Sequence, residues 1–501
     1  MTTATIQAGV SGMAIYVPQL KVPLEKWCEW NQQPWAKVAK VVGNSFRMPR
    51  PCEDVYTMAA SAVLRLIQQY QIDPQRIGML SLGTESSKDN AAGAVIVRGL
   101  LDLALPQLGL PPISRHCEVP EFKHACLGGI YALKSSLRYL ATDAEDDKIA
   151  IAVAADVAEY ARGSSGEQTQ GAGAVAMLVD REAQMFRLDL SSAGVASAYR
   201  GPDFRKPSAR HFSERYQTGC QRAHDFPIFS GRYSTHAYTD ATLAAVRDLW
   251  RRLQADPFTE LESVSQFFFH RPYAHMPVSG LAMIYLDALH QSGQLDQLRE
   301  LAKSNDLDLN EVRAELDHKV DLFAQLQQQP DAQPYPHSAK LAALLRRTEA
   351  FKHFCQQRLS LGEQLTAELG NLYTASLPSW VAAGFNAALQ HDNTVFGEKV
   401  WMVGYGSGDA SEAIPLLVSP NWREAAQNIQ FEKALAHAYS LNQDEYEALH
   451  DHARDVALAA HNDDGDLLGL PPFSISRFGE RYEQDFQDLS VPYYQFNQGP
   501  V

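Results

Sequence analysis

Cysteine is scarce in this 501-residue chain, and none of its six cysteines forms a C-x-x-C pair. The sequence therefore indicates neither a zinc site nor a disulfide framework, and it predicts reduced thiols in a cytoplasmic protein. No stretch approaches the roughly 20 consecutive apolar residues that a membrane-spanning helix needs. Residues 1–9 lack the charged and apolar regions of a secretory signal. We therefore expect no membrane association.

Positive charge is also in short supply, since 44 Lys and Arg face 59 Asp and Glu and leave a formal net charge of -15. An acidic chain is poorly suited to bind nucleic acid or an anionic membrane, so we expect neither as a partner. Repeats of 20 to 50 residues and low-complexity tracts are absent too. What is present is an ordinary globular composition, with 45% hydrophobic and 21% charged residues.

Short apolar runs that alternate with helical periodicity predict an α/β protein. The runs predicted to be buried strands are Met13–Val17, Ile77–Leu82, Ile149–Ala154, Phe267–Phe269 and Val400–Val403. Apolar residues with helical spacing occupy Tyr56–Tyr70 and Ala125–Ala141. The stretch from about 286 to 365 is nearly free of glycine, and we expect it to be a helical insertion that is interrupted near 330–336.

A lone cysteine, Cys126, stands just before two glycines and a predicted helix in the stretch FKHACLGGIYALK. The positive end of a helix favours a thiolate, so this position suits a nucleophile. On these residues alone, a small buried cysteine without chemical function remains the alternative.

Two further candidates follow predicted strands, where ligands commonly bind in α/β folds. Glu85 comes after the strand Ile77–Leu82, and burial there would raise its pKa and make it a general base. His270 ends the strand Phe267–Phe269 and suits acid–base chemistry. The ordinary alternatives are a solvated loop glutamate and a core histidine. The glycine-rich turn in MVGYGSGDAS, residues 402–411, could present backbone N–H groups to an oxyanion, although tight turns need glycine anyway.

The order of these pieces resembles the 3-hydroxy-3-methylglutaryl-CoA synthases of the thiolase superfamily, over nearly the whole chain. Other similar stretches are GMAIYVPQL, CEDVYTMAASAV, DVAEYARGSSGEQTQGAGAVAML and DFPIFSGRYSTHAYTDA. The resemblance implies a five-layered αβαβα fold of two similar halves, each with a central sheet, in a homodimer. Residues 1–200 would form the half with Glu85 and Cys126. Residues 201–501 would form the half with His270 and the helical insertion.

The resemblance also implies a role for each candidate. Cys126 would take an acetyl group from acetyl-CoA, and Glu85 would remove a proton from the acetyl methyl group. The enolate would attack the ketone of acetoacetyl-CoA, which His270 would polarise, and water would then cleave the enzyme thioester. A thiolate is the nucleophile that forms a thioester. The CoA thioesters are substrates, and neither a further cofactor nor a metal is implied.

Six residues are implied as substrate contacts. Asn371 would hold the carbonyl of the acceptor, and Ser407, with the glycine turn that includes Tyr405, would line the pocket. Thr169 matches a family threonine in the T-x-G-A-G segment. Arg271 and Lys206 are candidates for the CoA phosphate.

The chain departs from the family pattern at three places. Leu127 stands where the family commonly has a tyrosine after the nucleophile, which removes a hydroxyl from the pocket edge. The stretch from His270 to Leu286 has none of the usual lysines, and Pro378 replaces a tyrosine.

The missing lysines leave two interpretations open. Basic residues elsewhere (Arg271, Arg205, Lys206 or Arg210) could contact the CoA phosphate. Alternatively, the acceptor arrives on an acyl carrier protein, as in polyketide β-branching. An acyltransferase or ketosynthase that ends without hydrolysis is another candidate. The last candidate is a catalytically inactive subunit that only binds a partner. The intact Glu85, Cys126 and His270 argue against it.

Overall fold

The computed structural model describes residues 8–498 except 90, 206–225, 229, 330–332, 392–395, 398 and 453–455. Its strands are β1 (Gly9–Tyr16), β2 (Leu20–Pro23), β3 (Ser45–Met48), β4 (Ile77–Gly83), β5 (Glu121–Phe122), β6 (Ile149–Ala158), β7 (Gly171–Asp180), β8 (Phe186–Leu188), β9 (Gly194–Ser197), β10 (Gln266–Phe269), β11 (Lys399–Gly406), β12 (Ala410–Val418), β13 (Tyr439–Ser440), β14 (Phe473–Phe478) and β15 (Pro492–Phe496).

The helices are α1 (Leu24–Trp30), α2 (Trp35–Val41), α3 (Val55–Gln69), α4 (Gly93–Ala104), α5 (Gly128–Thr142), α6 (Arg232–Leu253), α7 (Pro257–Ser263), α8 (His275–Gln291), α9 (Arg299–Lys303), α10 (Leu309–Asp317), α11 (Leu322–Gln328), α12 (Pro336–Leu345), α13 (Glu349–Arg358), α14 (Glu363–Thr366), α15 (Ser376–Ala388), α16 (Trp422–Ala426), α17 (Phe431–Leu435) and α18 (Gln443–His450). Within the described residues, none is long and apolar enough to cross a membrane.

The main sheet of the described chain has the order β10-β11-β12-β8-β1-β7-β6-β4-β5, with β9 paired to β12. Strand β4 runs parallel to β5 and β6, and β10 runs parallel to β11. The short strand β8 pairs with β1 on one side and β12 on the other. It therefore joins the strands of the first half to those of the second in one hydrogen-bonded sheet.

Helices cover this sheet in layers. Helices α3 and α4 pack on one face of β1, β4, β6 and β7. Helices α5 and α15 lie on the opposite face, and α15 contacts β10 and β11 as well as β1 and β7. Helix α6 packs on β9, β11 and β12 and against α8. The two parts of this continuous sheet enclose α5 and α15, and α3, α4, α6 and α8 cover them on the outside. This arrangement of helix, sheet, helix, sheet and helix agrees with the predicted α/β fold.

The predicted strands are all present, and most extend beyond their apolar cores. The helix predicted from Ala125 begins instead at Gly128, because Ala125 takes a left-handed backbone conformation with φ of 41°. Helices α9 to α14 occupy most of the stretch predicted as a helical insertion. The division of the chain near residue 200 stays a prediction.

Candidate active site

A cavity of about 220 Å³ lies between the two halves of the sheet. It is lined by six of the nine residues predicted to form the site: Cys126, Thr169, His270, Asn371, Tyr405 and Ser407. A seventh, Glu85, contacts the sulfur of Cys126. The remaining wall consists of aromatic, aliphatic and uncharged polar residues, so the cavity is suited to a short acyl chain more than to a charged group.

The thiol of Cys126 and the carboxylate of Glu85 are brought together by close packing of α5 on the end of β4. The Sγ atom of Cys126 donates to Oε2 of Glu85 at 3.5 Å. Glycine is required at the crossing, since a Cβ added to Gly83 would lie 2.4 Å from the Cα of Gly129. Any side chain on Gly83 would push α5, and with it Cys126, away from Glu85.

Three non-glycine residues beside or on the cavity wall have a left-handed backbone. The φ angles are 41° at Ala125, 42° at Phe204 and 43° at Tyr373. Such conformations are unfavourable for residues with a Cβ and concentrate at functional sites. The backbone before Cys126 is therefore held by its surroundings in a sharp turn.

A buried carboxylate, Asp156, ties the Glu85 loop to the turn before α15. Its Oδ1 accepts hydrogen bonds of 2.6–3.0 Å from the hydroxyl of Thr84, the backbone N–H of Glu85, and both the N–H and hydroxyl of Ser86. Its Oδ2 accepts from the N–H and the hydroxyl of Thr374 at 3.0 and 2.6 Å. Because every partner donates, Asp156 fixes the backbone that carries Glu85.

We expect Asp156→Asn to lower the free energy of unfolding by ~2–5 kcal/mol. The amide has one acceptor oxygen, so its NH2 group must face backbone N–H donors on one side. Urea denaturation measures the loss. Asp73→Asn is the matched control, because Asp73 caps a short helix at the surface and asparagine caps equally well. Equal stability of the two variants would contradict the role of Asp156.

The expectation that the helix start favours a Cys126 thiolate is wrong for the resting protein. Burial raises the pKa of Cys126 well above its ordinary value, and the negative charges of Glu85, Asp156 and Asp203 raise it further. Desolvation and nearby carboxylates outweigh the helix in this site. The resting nucleophile is a thiol that is hydrogen-bonded to Glu85.

This electrostatic coupling predicts that Glu85→Gln makes Cys126 more reactive toward iodoacetamide. Removing the carboxylate charge lowers the pKa of the thiol, and below that pKa each unit gives roughly tenfold more thiolate. Peptide mass spectrometry after labelling between pH 7 and 10 measures the rate at Cys126. Glu121→Gln is the control, since Glu121 is not among the carboxylates that raise this pKa. An unchanged or slower rate in Glu85→Gln would contradict the coupling.

His270 is buried at the end of β10, and burial lowers its pKa to about 3. Its backbone is fixed at both ends, because its N–H donates to Val403 at 2.7 Å and its carbonyl accepts from Tyr238 at 3.1 Å. The Nδ1 atom has no hydrogen-bond partner among the described residues. The imidazole is therefore neutral near pH 7 and carries one N–H that can donate to a ligand oxygen.

Asn371 presents a donor to the cavity. Its Oδ1 already accepts from the N–H of Tyr373 and the hydroxyl of Ser376, each at 2.9 Å. Its NH2 group is within hydrogen-bonding reach of the Tyr160 hydroxyl. A contact between this NH2 group and the carbonyl of the acceptor stays a prediction. Thr169 lies nearby, where its carbonyl accepts from the N–H of Asn371 and its hydroxyl donates to Gly166.

The glycine turn after β11 is anchored by aspartates that the sequence analysis did not single out. The hydroxyl of Tyr405 donates to Asp203 at 2.6 Å. Asp409, which follows the turn, accepts from the buried Arg200 at 3.1 Å. Ser407, between these anchors, lines both this cavity and a neighbouring, more open one. Nothing in the local sequence distinguishes Asp203 or Asp409 from surface aspartates, whereas Asp156 could have been suspected from its place after an apolar strand.

An aromatic wall beside the nucleophile was also missed. Tyr160, Phe204 and Tyr373 are buried with Cys126, and their ring centroids lie 5.6–6.3 Å apart. Rings that shield the thioester sulfur would exclude water from it. The residues come from three distant segments, so no local pattern predicts them.

Leu127 does not line the cavity, contrary to the expectation of a lost hydroxyl at its edge. The side chain is fully buried and packs on β11. A Cβ added to Gly404 would lie 2.6 Å from Leu127 Cδ1, and one added to Gly406 would lie 2.9 Å from Leu127 Cβ. This departure from the family pattern therefore changes core packing and not the cavity wall.

Of the predicted phosphate contacts, the two that the structure describes, Arg271 and Arg205, do not line this cavity. Arg271 is buried beside it, where its guanidinium donates to Thr366 and lies 5.2 Å from the ring of Trp380. Arg205 is exposed and lines the neighbouring cavity. Lys206 and Arg210 lie outside the described residues. A substrate contact by Arg271 or Lys206 stays a prediction.

Within the described chain, one group of side chains has the spacing of metal ligands. It consists of His437, Asp464 and Asp466, all exposed, and it shares no residue with the cavity. The cavity itself combines a thiol, a carboxylate and a neutral imidazole, which suits acyl transfer through a cysteine.

Comparison with known proteins agrees with this arrangement. Residues 5–184 match the family model "Hydroxymethylglutaryl-coenzyme A synthase N terminal", and residues 216–462 match the corresponding C-terminal model. The hydroxymethylglutaryl-CoA synthase of Haloferax volcanii is 24% identical over 458 residues, which are 88% of this chain and 91% of that protein.

Solved structures show the same fold. MvaS in complex with 3-hydroxy-3-methylglutaryl coenzyme A superposes with a TM-score of 0.71 at 24% identity, over 98% of this chain and 99% of that one. The HMG synthase of the curacin biosynthetic pathway, in complex with acetyl donor-ACP, gives 0.67 at 19% identity, over 98% and 100%. Since the two family models together span most of the sequence, the chain belongs to the hydroxymethylglutaryl-CoA synthase family.

Proposed function

We propose that this protein condenses the acetyl group of acetyl-CoA with acetoacetyl-CoA and releases 3-hydroxy-3-methylglutaryl-CoA. The observation that carries the proposal is the 3.5 Å contact between Cys126 Sγ and Glu85 Oε2 beside a cavity that His270 also lines. A nucleophile, a base and a hydrogen-bond donor are the three groups that the reaction requires.

In the first step, the sulfur of Cys126 attacks the thioester carbonyl of acetyl-CoA and CoA leaves as its thiol. As the new C–S bond forms and the bond to CoA breaks, the proton of the Cys126 thiol passes to the sulfur of the departing CoA. The high pKa of Cys126 is no obstacle to this exchange, because the thiol needs to ionise only as it attacks. The acetyl group then occupies the position beside Glu85.

In the second step, Glu85 removes a proton from the acetyl methyl group, and the resulting enolate carbon attacks the ketone of the acceptor. The neutral imidazole of His270 donates its N–H to the ketone oxygen as negative charge develops there. Asn371 donates to the acceptor's thioester carbonyl. Water then cleaves the bond to Cys126, which restores the thiol and frees the product.

A carrier-protein-bound acceptor is the second candidate. It is supported by the lack of lysine between His270 and Leu286. A related acyl transfer without hydrolysis remains a weaker alternative, because it would leave Glu85 without a task. We also propose that the protein acts as a homodimer in the cytoplasm, on the basis of the family pattern.

The proposal is tested by mixing the protein with acetyl-CoA and acetoacetyl-CoA and identifying the products by liquid chromatography and mass spectrometry. We expect 3-hydroxy-3-methylglutaryl-CoA and free CoA in equal amounts. Acetyl-CoA hydrolysis alone would show that acylation occurs without condensation on this acceptor. In that case, the same assay with acetoacetyl-carrier protein decides for or against the second candidate.

A further inference from the structure

A half-buried arginine, Arg346, lies beside residues that line the cavity. Arg346, at the end of α12 in the helical insertion, places its Nη1 atom 2.6 Å from Nε2 of His275 and 2.6 Å from the hydroxyl of Ser279. His275 and Ser279 are one turn apart on α8. Tyr273 and Met276, on either side of His275, line the cavity. The guanidinium is therefore held next to the cavity wall by two side chains of α8.

Arg346 has no acidic partner within the described part of the chain. Burial lowers the pKa of Arg346, and the positive charge of Arg347 lowers it further. Tyr273 acts in the opposite direction. Burial and the charge of Arg346 in turn lower the pKa of His275, so its imidazole accepts the hydrogen bond in neutral form. A guanidinium keeps its charge in such surroundings.

Three other arginines that are buried or half-buried are neutralised by carboxylates. Arg200 pairs with Asp240 and Asp409, Arg247 pairs with Asp287, and Arg162 pairs with Glu447 and Asp451. Arg346 differs in being half-buried, oriented by two hydrogen bonds and without a counter-ion among the described residues. A partly desolvated charge without a partner favours an anionic ligand.

We propose that Arg346 binds a phosphate group of the pantetheine handle that carries the acyl thioester. The inference rests on the proposed function, because that function places a thioester in the cavity and its handle at the mouth. The proposal assigns the phosphate contact to an arginine of the helical insertion. Helix α8, where the family usually has lysines, contains none. A guanidinium forms paired hydrogen bonds to phosphate and suits this task.

The test compares Arg346→Gln with Arg347→Gln, a neighbouring exposed arginine that undergoes the same charge change. Equilibrium binding is measured by calorimetry for CoA, dephospho-CoA, 4′-phosphopantetheine and pantetheine, which requires no turnover. We expect Arg346→Gln to weaken CoA binding about 10- to 100-fold, as for one lost charge-assisted hydrogen bond. Pantetheine binding should not change, and Arg347→Gln should resemble the unmodified protein.

The ligand series identifies the phosphate. A loss for CoA but not for dephospho-CoA assigns Arg346 to the 3′-phosphate of CoA. A loss that extends to 4′-phosphopantetheine assigns it to the phosphate that CoA shares with a carrier protein. Unchanged CoA binding would overturn the proposal. An equal loss of affinity for pantetheine, which has no phosphate, would also overturn it, because it would mean that Arg346 only holds the helical insertion against α8. Arg346→Lys should restore part of the CoA affinity. Because binding is measured, failure of condensation would not affect this result.

Discussion

Replacing Glu85 with glutamine is expected to abolish condensation while Cys126 still accepts an acetyl group. Glutamine keeps the size of the side chain but cannot take a proton from the acetyl methyl group. Loss of a general base typically costs ~10²–10⁴-fold in rate. Rapid-quench measurement of acetyl-enzyme formation, beside steady-state product formation, separates the two steps.

The control for this prediction is again Glu121→Gln, which removes a carboxylate from a strand next to the Glu85 loop without touching Cys126. It should acetylate and condense at nearly normal rates. Normal condensation by Glu85→Gln would show that another group is the base. Loss of both steps would mean that Glu85 is needed for acylation, and the assigned role would be wrong.

Cys126→Ala is expected to lose acylation completely, because no other described thiol is placed beside both Glu85 and the cavity. With radiolabelled acetyl-CoA, the unmodified protein should retain about one acetyl group per chain after denaturation, and the variant none. Condensation should fall below detection, since the enolate forms only on the enzyme-bound acetyl group.

Cys117→Ala is the matched control for this loss. Cys117 is also buried, and burial raises its pKa to about 11, but it contacts the core under α4 and not the cavity. This variant should acetylate normally. Label that persists in Cys126→Ala and disappears in Cys117→Ala would reverse the assignment of the nucleophile.

The sequence predicted the strands and the catalytic candidates because each has a local signal. Continuous apolar runs mark strands that are covered on both faces. His270 directly follows one of them, and Glu85 stands two residues after the end of another. Cys126 precedes two glycines, and the glycines turn out to be needed where α5 approaches β4. Local residue order thus marked these positions as candidates, and the family resemblance supplied their expected roles.

The ionisation state of the nucleophile could not be predicted in this way. The argument from the helix start favoured a thiolate, whereas the surrounding carboxylates and burial favour the thiol. Those carboxylates lie at positions 85, 156 and 203, and only the fold brings them together. The pKa of a buried group depends on the charges that surround it in space. Sequence position alone therefore gave the wrong direction for the pKa shift of Cys126.

The proposed phosphate contact of Arg346 could not be predicted from the sequence for a similar reason. Arg271 looked suitable because it follows His270, but its guanidinium is buried against Trp380 and Thr366. Arg346 lies 75 positions after Arg271, in an insertion that the sequence marked only as helical. Its approach to α8 is a tertiary contact with no local signal.

The most direct test of the central claim is intact-protein mass spectrometry during a sequential addition of substrates. We predict that acetyl-CoA adds one acetyl group to the chain, and that acetoacetyl-CoA then removes this mass while 3-hydroxy-3-methylglutaryl-CoA appears in solution. An acetyl adduct that persists after acetoacetyl-CoA, or that leaves only as acetate, would contradict condensation through Cys126 on this acceptor.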